Sequence, residues 1–292
     1  MMAFLFPGQG SQKPGMGKDF VSTGVFDEVD AALGEKFSDI IFGEDAELLS
    51  QAENAQPALL AASIAAFRAA DLKGDYVLGH SLGEIPALVA SEALGLTDAA
   101  RLLRARGFAM KRAAKGAMMA CLGLSIEKVQ EIASGIDGLY VANDNCPGQV
   151  VVSGTEEAVA KAEEAFKAAG AKKAVKLAVS VPAHSPLMAP AAEEMAGLLA
   201  DIKLTTPKIP FVSNCSASLE SDPEVIKKHL IEQMTNGVRF RECVQFLGSK
   251  GVNKVLEFGS GNVLCGLVKR IDEGMEAFAV AKKEDLDVLI KG

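Results

Sequence analysis

The sequence predicts an α/β protein in which a parallel sheet is buried on both faces and a small ferredoxin-like βαββαβ domain is inserted. Three observations carry that expectation. Short apolar runs alternate with helix-length segments along most of the 292 residues, the pattern of parallel strands joined by crossover helices. One run, Tyr76-Val77-Leu78, leads into Gly79-His80-Ser81-Leu82-Gly83. This matches the G-x-S-x-G elbow, in which a strand turns sharply into a helix and lifts the serine Oγ above the sheet edge. Between about Met118 and Val181 the rhythm changes to strand, helix, strand, strand, helix, strand. The expected division is a discontinuous core of residues 1–117 and 185–292, interrupted by a small domain of residues 118–184.

Taken in order, Ala3-Phe4-Leu5-Phe6 reads as a first buried strand feeding the loop Pro7-Gly8-Gln9-Gly10-Ser11-Gln12. The loop fits neither the Walker spacing nor the complete dinucleotide fingerprint. It is a plain connection, or it presents backbone N–H groups and a Gln side chain at the carboxyl end of a strand, where open α/β sheets bind ligands. Residues 18–54 read as short polar helices covering one sheet face. Gln56-Pro57 then opens an alanine-rich helix to about Leu72, with Pro57 in its first turn. That helix is apolar nearly all round and should be buried. Past the elbow comes a helix over Ile85–Ala90, with Pro86 in its first turn. Thr97 is the expected N-cap of a helix through Arg101, Arg104, Arg106, Met110 and Arg112. Most of those arginines should face water, and one could bind a carboxylate in bidentate fashion.

In the small domain, Met118–Leu124 is a strand and Ser125 caps a helix to about Ala133. Leu139–Asn143 and Gln149–Val152 pair around Asp144–Gly148. Thr155 caps a helix that stops at Gly170, and Ala174–Val179 closes the set. After Pro182-Ala183-His184-Ser185-Pro186 come a helix around Ala191–Ala200, a strand near Ile209–Val212 and two helices, Pro223–Met234 and Phe240–Lys250. Strand Val255–Phe258, the turn Gly259-Ser260-Gly261, helix Val263–Ile271, strand Ala277–Val280 and a short last helix complete the chain.

Composition narrows the function. A hydrophobic content of 49% allows a sizeable core, and no apolar run is long enough to span a membrane. Met1–Leu5 is too short for a signal peptide, so a cytoplasmic protein is expected. The net charge of −8 argues against general nucleic-acid binding. The five cysteines are dispersed without C-x-x-C spacing, so reduced thiols and no metal site are expected.

A nucleophilic Ser81 needs a base, and only three histidines are available. His80 neighbours the serine and should project away from it. His229 lies in the helical stretch Ile226–Leu230. His184 sits in a proline-flanked loop at the domain seam and follows the nucleophile in the chain, as the base does in α/β hydrolases. It is the preferred base, against the alternative of a structural histidine. No acidic third member is evident, and a backbone carbonyl can serve as the acceptor for the Nδ1–H of His184. The Leu82 N–H, at the positive end of the following helix, faces the space where an oxyanion would develop.

Phe6-Pro7-Gly8-Gln9-Gly10-Ser11-Gln12, Gly79-His80-Ser81-Leu82-Gly83-Glu84, Arg106-Gly107, Asn143–Gln149 and Val181-Pro182-Ala183-His184 together resemble the malonyl-CoA:acyl-carrier-protein transacylases. Their joint order covers essentially the whole chain. The resemblance implies a hydrolase-like core carrying the inserted ferredoxin-like domain, and a Ser–His dyad. Ser81 would carry the malonyl group and His184 would act as base and acid. Gln9 and Leu82 would supply the oxyanion N–H groups, Arg106 would pair with the malonyl carboxylate, and the Gln233 carbonyl would orient His184. Malonyl-CoA is then a substrate, no cofactor is implied, and the partner is acyl carrier protein in fatty acid synthesis.

In related polyketide acyltransferase domains the tetrapeptide before and including the histidine correlates with extender choice, and Val181–His184 is neither usual version. Docking of an acidic carrier would use a basic patch among Lys111, Arg112, Lys115, Lys227, Lys228, Lys269 and Arg270. Rival readings are a serine esterase or thioesterase, a non-catalytic carrier-binding module, and malonyl loading for a polyketide or malonate decarboxylase pathway.

Overall fold

A computed structural model describes residues 1–291; Gly292, the last residue of the expected core, lies outside the described residues. Strand β1 (Met2–Phe6) is followed by a 3₁₀ turn (Lys18–Thr23) and the covering helices α1 (Val25–Leu33), α2 (Ser38–Phe42) and α3 (Ala46–Ser50). Then come α4 (Ala52–Ala70), β2 (Tyr76–Gly79), α5 (Glu84–Ala90) and α6 (Leu96–Ala113). A second unit holds β3 (Ala117–Leu122), α7 (Ile126–Ser134), β4 (Leu139–Cys146), β5 (Gln149–Gly154), α8 (Glu156–Ala168) and β6 (Lys173–Lys176). The chain returns through α9 (Ala189–Ala200), β7 (Phe211–Ser213), β8 (Ser218–Glu220), α10 (Pro223–Glu232), α11 (Phe240–Ser249), β9 (Lys254–Phe258), α12 (Val263–Ile271), β10 (Glu276–Val280) and α13 (Lys283–Lys291).

The larger sheet has the order β10-β9-β1-β2-β7-β8. Its first five strands are parallel and β8 is antiparallel to β7. The strand period of two sorts its side chains onto two apolar layers. Phe4, Phe6, Val77, Phe211, Leu256 and Phe258 join one core with residues of α4, α5, α6 and α9. Ala3, Leu5, Leu78, Val212 and Val255 join the other with α11 and α12. Burial on both faces explains why these strands read as continuous apolar runs. The edge strand β8 was not foreseen: Ser218-Leu219-Glu220 is too short and polar to stand out, and it forms because it folds back on β7.

The smaller sheet is antiparallel with the order β4-β5-β3-β6. That is the ferredoxin-like arrangement, the first strand lying between the third and fourth. Ser125 and Thr155 cap their helices as expected, accepting the N–H groups of Lys128 and Ala158. The unit has its own core around Val129, Val152 and Phe166.

Four local expectations are corrected. β6 ends at Lys176, short of Val179. β4 runs on to Cys146, because Asp144 N–H donates to Val238 O and Val238 N–H to Ala142 O, extending the strand by pairing with the larger unit. Helix α6 starts at Leu96 with Gly95 as N-cap, so Thr97 lies inside the first turn and caps nothing; burial of Leu96 draws the helix start back. Helix α4 starts at Ala52, so Pro57 lies in the second turn rather than the first. A proline there removes the donor for the carbonyl four residues earlier. That carbonyl, Glu53 O, accepts instead from Arg104 Nη1 on α6 at 2.9 Å. Residues 53–66 of α4 are all buried, as its apolar circumference required.

Candidate active site

Three neighbouring strands set the site. β1, β2 and β7 lie side by side and parallel, so the residues after their carboxyl ends, Gln9, Ser81 and Asn214, emerge at one sheet edge. The turn after β2 is tight enough to require both its glycines. A Cβ on Gly79 would fall 1.9 Å from the Gly83 carbonyl carbon, and one on Gly83 would fall 2.1 Å from Phe6 O. Ser81 itself adopts φ 55°, a left-handed conformation that a non-glycine residue holds only when its surroundings impose it. The surroundings here are specific: Ser81 N–H donates to Asn214 Oδ1 at 2.8 Å, and Asn214 Nδ2 donates to Gly79 O at 2.8 Å.

His184 is also left-handed, with φ 59°, in a turn closed by Ser185 Oγ donating to Pro182 O at 2.6 Å. Its ring reaches the serine: Nε2 lies 2.8 Å from Ser81 Oγ. Nδ1 lies 2.8 Å from the main-chain carbonyl of Gln233. A carbonyl only accepts, so Nδ1 carries the proton and Nε2 offers its lone pair to the Ser81 hydroxyl. Burial pulls the His184 pKa down to about 4, the hydrogen bond to Gln233 opposes this, and the nearby charge of Arg106 lowers it further. The imidazole is therefore neutral at pH 7.

Arg106 projects from α6 and is 4% exposed. Its Nη1 donates to Gln56 Oε1 at 2.8 Å, and no carboxylate within 4 Å pairs with it among the described residues. Burial lowers its pKa to about 10, with the Glu84 carboxylate opposing. It remains a buried cation, near enough to the dyad for its charge to act on His184.

Gln9 is exposed in the loop after β1. The loop packs against the elbow at Gly8, where a Cβ would fall 2.7 Å from His80 O. Ser81 N–H is taken by Asn214, and neither Gln9 N–H nor Leu82 N–H has an acceptor in the protein among the described residues. A cavity of about 530 Å³ opens at His184, lined also by Leu139, Val141, Thr235, Asn236 and Gly237, at the seam between the two sheets.

The other histidines stand elsewhere. His80 turns away from Ser81 to bring Nε2 within 2.7 Å of Asn145 Oδ1 on β4, with its ring 5.2 Å from that of Phe240. His229 Nδ1 lies 3.1 Å from Ser213 Oγ. The five cysteines are free, and burial pushes the Cys215 and Cys265 thiols up to about 12. Of the basic patch, Lys111, Arg112, Lys227 and Lys228 pair with Glu53, Glu194, Glu224 and Glu232, and Arg270 holds Pro147 O and Gln149. Sequence reasoning gave no role to Gln56, Glu84, Asn145 or Asn214. Gln56 carried a usable signal, a long polar side chain beside Pro57 at the head of a stretch expected to be buried; Asn214 carried none, since its place depends on β7 lying beside β2.

The fold and the dyad define a class, α/β proteins that present a serine at a strand-to-helix elbow with a histidine as its hydrogen-bond partner. The family model for the acyl transferase domain matches residues 3–266. The malonyl CoA-acyl carrier protein transacylase of Bacillus subtilis (strain 168) is 42% identical, across 99% of this chain and 96% of its own length. The enzyme of that name from Escherichia coli (strain K12) is 41% identical, across 95% of each chain. Among solved structures, the acyl-carrier-protein-S-malonyltransferase from Bartonella henselae superposes with a TM-score of 0.96 at 44% identity, covering 99% of this chain and 98% of that one. A malonyl-transacylase solved in complex with its holo type II PKS acyl-carrier protein gives 0.94 at 39% identity, covering 99% of both. The chain belongs to the malonyl CoA-acyl carrier protein transacylase family.

Proposed function

We propose that this chain moves the malonyl group of malonyl-CoA to the phosphopantetheine thiol of an acyl carrier protein through a malonyl ester on Ser81, in the cytoplasm and in the service of fatty acid synthesis. The observation that carries the reading is Arg106, a buried guanidinium with no carboxylate partner beside the Ser81–His184 pair. A buried cation without a counter-ion is costly, and a substrate carboxylate relieves that cost. Among acyl thioesters, this selects one with a free acid at the end of a short chain.

The Ser81–His184–Gln233 contacts support the following steps. His184 Nε2 takes the hydroxyl proton as Ser81 Oγ attacks the thioester carbonyl. The negative oxygen of the tetrahedral intermediate is held by Gln9 N–H and Leu82 N–H. Losing one such donor costs roughly 10²–10³ in rate. The intermediate collapses as the C–S bond breaks, and His184 returns the proton to the departing CoA thiolate. The carrier thiol then gives its proton to His184, attacks the Ser81 ester and leaves Ser81 free. One thioester replaces another, so no energy input is required. The Gln233 carbonyl accepts from Nδ1–H throughout and stabilises the imidazolium formed in each half-reaction.

The test is to incubate the protein with malonyl-CoA, with and without holo acyl carrier protein, and to follow both malonyl-carrier and free malonate. Malonyl-carrier is expected to accumulate in the first mixture, with free malonate at background in both. Release of free malonate at a comparable rate without carrier would mean that the acyl group goes to water and the chain is a hydrolase.

A further inference from the structure

Glu84 begins α5 directly after the elbow, and its side chain is completely buried. An acidic residue in a first helical turn ordinarily faces solvent, where it gains from the helix dipole without desolvation. Burial pushes its pKa up to about 8, opposed by the Asn214 N–H, the charge of Arg106 and the Gln233 side chain, and no cation lies within 4 Å of it among the described residues. Its two oxygens instead hold two residues from distant parts of the chain. Oε1 accepts from Asn214 N–H at 2.6 Å, and Oε2 accepts from Gln233 Nε2.

Those two residues are the ones that fix the dyad. Asn214 Oδ1 takes Ser81 N–H, so Asn214 sets the backbone of the strained serine. The Gln233 carbonyl takes His184 Nδ1–H at 2.8 Å, and Gln233 Nε2 also reaches Ser81 O at 3.2 Å. Gln233 stands at the C-terminus of α10 and Asn214 just past β7, and the Glu84 carboxylate joins them.

Resting on the dyad reading above, we propose that Glu84 is a positioning residue that sets Ser81 and His184 relative to one another through Asn214 and Gln233. It touches neither substrate nor the reacting atoms. One carboxylate sharing its oxygens between the two holders makes their placement a single coupled choice.

Glu84→Gln tests this with almost no change of shape. Its amide oxygen can still accept from Asn214 N–H, while its NH₂ then confronts the Gln233 NH₂, donor against donor. Gln233→Met breaks the same link from the other end and keeps the main-chain carbonyl. With ¹⁵N-labelled histidine, the His184 ring of the wild type is expected to show one neutral Nδ1–H tautomer, and each variant a mixture of two. The kcat for malonyl transfer should fall by about 10–100-fold with the KM for malonyl-CoA within about threefold, since small misplacements of reacting groups cost that much. The double variant should be no slower than the worse single variant, because both cut one connection.

A single Nδ1–H tautomer and wild-type kcat in either variant, even with a lowered melting temperature, would overturn the proposal, as would losses that multiply. Should Glu84→Gln not fold, Gln233→Met decides by the same readouts. The tautomer measurement needs no substrate. A wild type that never acquires a malonyl group would therefore sink the transfer reading and leave this result standing.

Discussion

His184 is a base held in its reactive form by its surroundings. Burial, opposed by the Gln233 carbonyl and aided by the Arg106 charge, brings its pKa to about 4. Because the shift is downward, the neutral form persists until the pH falls well below the ordinary histidine value of about 6.5. Labelling of Ser81 by an uncharged fluorophosphonate isolates this titration from that of the substrate. The rate should stay flat as the pH falls from about 8 to about 5 and decline with a midpoint near 4; a decline centred near 6.5 would show an unburied imidazole. Arg106 answers a different need, holding the acyl carboxylate. Charge-assisted hydrogen bonds contribute about 1.5–3 kcal/mol each, so Arg106→Ala should lower kcat/KM for malonyl-CoA by roughly 10²-fold. Acetyl-CoA lacks the carboxylate, and its slow use should change by less than about threefold. Equal losses for the two thioesters would remove Arg106 from acyl recognition.

Between elements, the contact that places Arg106 is the packing of α4 against α6. A Cβ on Gly107 would fall 2.4 Å from Glu53 Cα, so the two helices meet backbone to backbone. At the same place Pro57 leaves the Glu53 carbonyl without its helical donor, and Arg104 Nη1 replaces it at 2.9 Å. The proline and the arginine are therefore energetically coupled. Arg104→Met should cost about 1 kcal/mol more in the natural protein than in a Pro57→Ala background, where the restored N–H serves that carbonyl. Urea denaturation of the four proteins measures this, and strict additivity would contradict it. The same helix shows where local reading ends. Proline after a glutamine marks a helix start by propensity, yet α4 begins five residues before it, because burying its apolar side chains and recruiting Arg104 outweigh the missing bond. Thr97 fails as a cap for a similar reason, the burial of Leu96.

At the scale of the molecule, what was legible is what spacing alone determines. The elbow could be read because its serine and both glycines are contiguous, and the ferredoxin-like order because its strands and helices follow one another with clear caps. The order of the larger sheet could not be read, since nothing local says that β9 lies beside β1. Asn214 stayed hidden for that reason, and so did the seam where His80 meets Asn145 and Arg241 meets Asp144 at 2.7 Å. Ser81, His184 and Leu82, read from the elbow and its base, lie together with Gln233 and Arg106, and Gln9 is on the adjoining loop; the last three owed their roles to the family resemblance and not to spacing. The central claim is that Ser81 carries the acyl group between two thiols. The measurement that tests it most directly is intact-mass analysis after brief exposure to malonyl-CoA, comparing wild type with Ser81→Ala. The account predicts one malonyl group on the wild type, none on the variant, and its loss when holo acyl carrier protein is added. A malonyl group on Ser81→Ala, or none on a wild type that still transfers malonyl to the carrier, would contradict it.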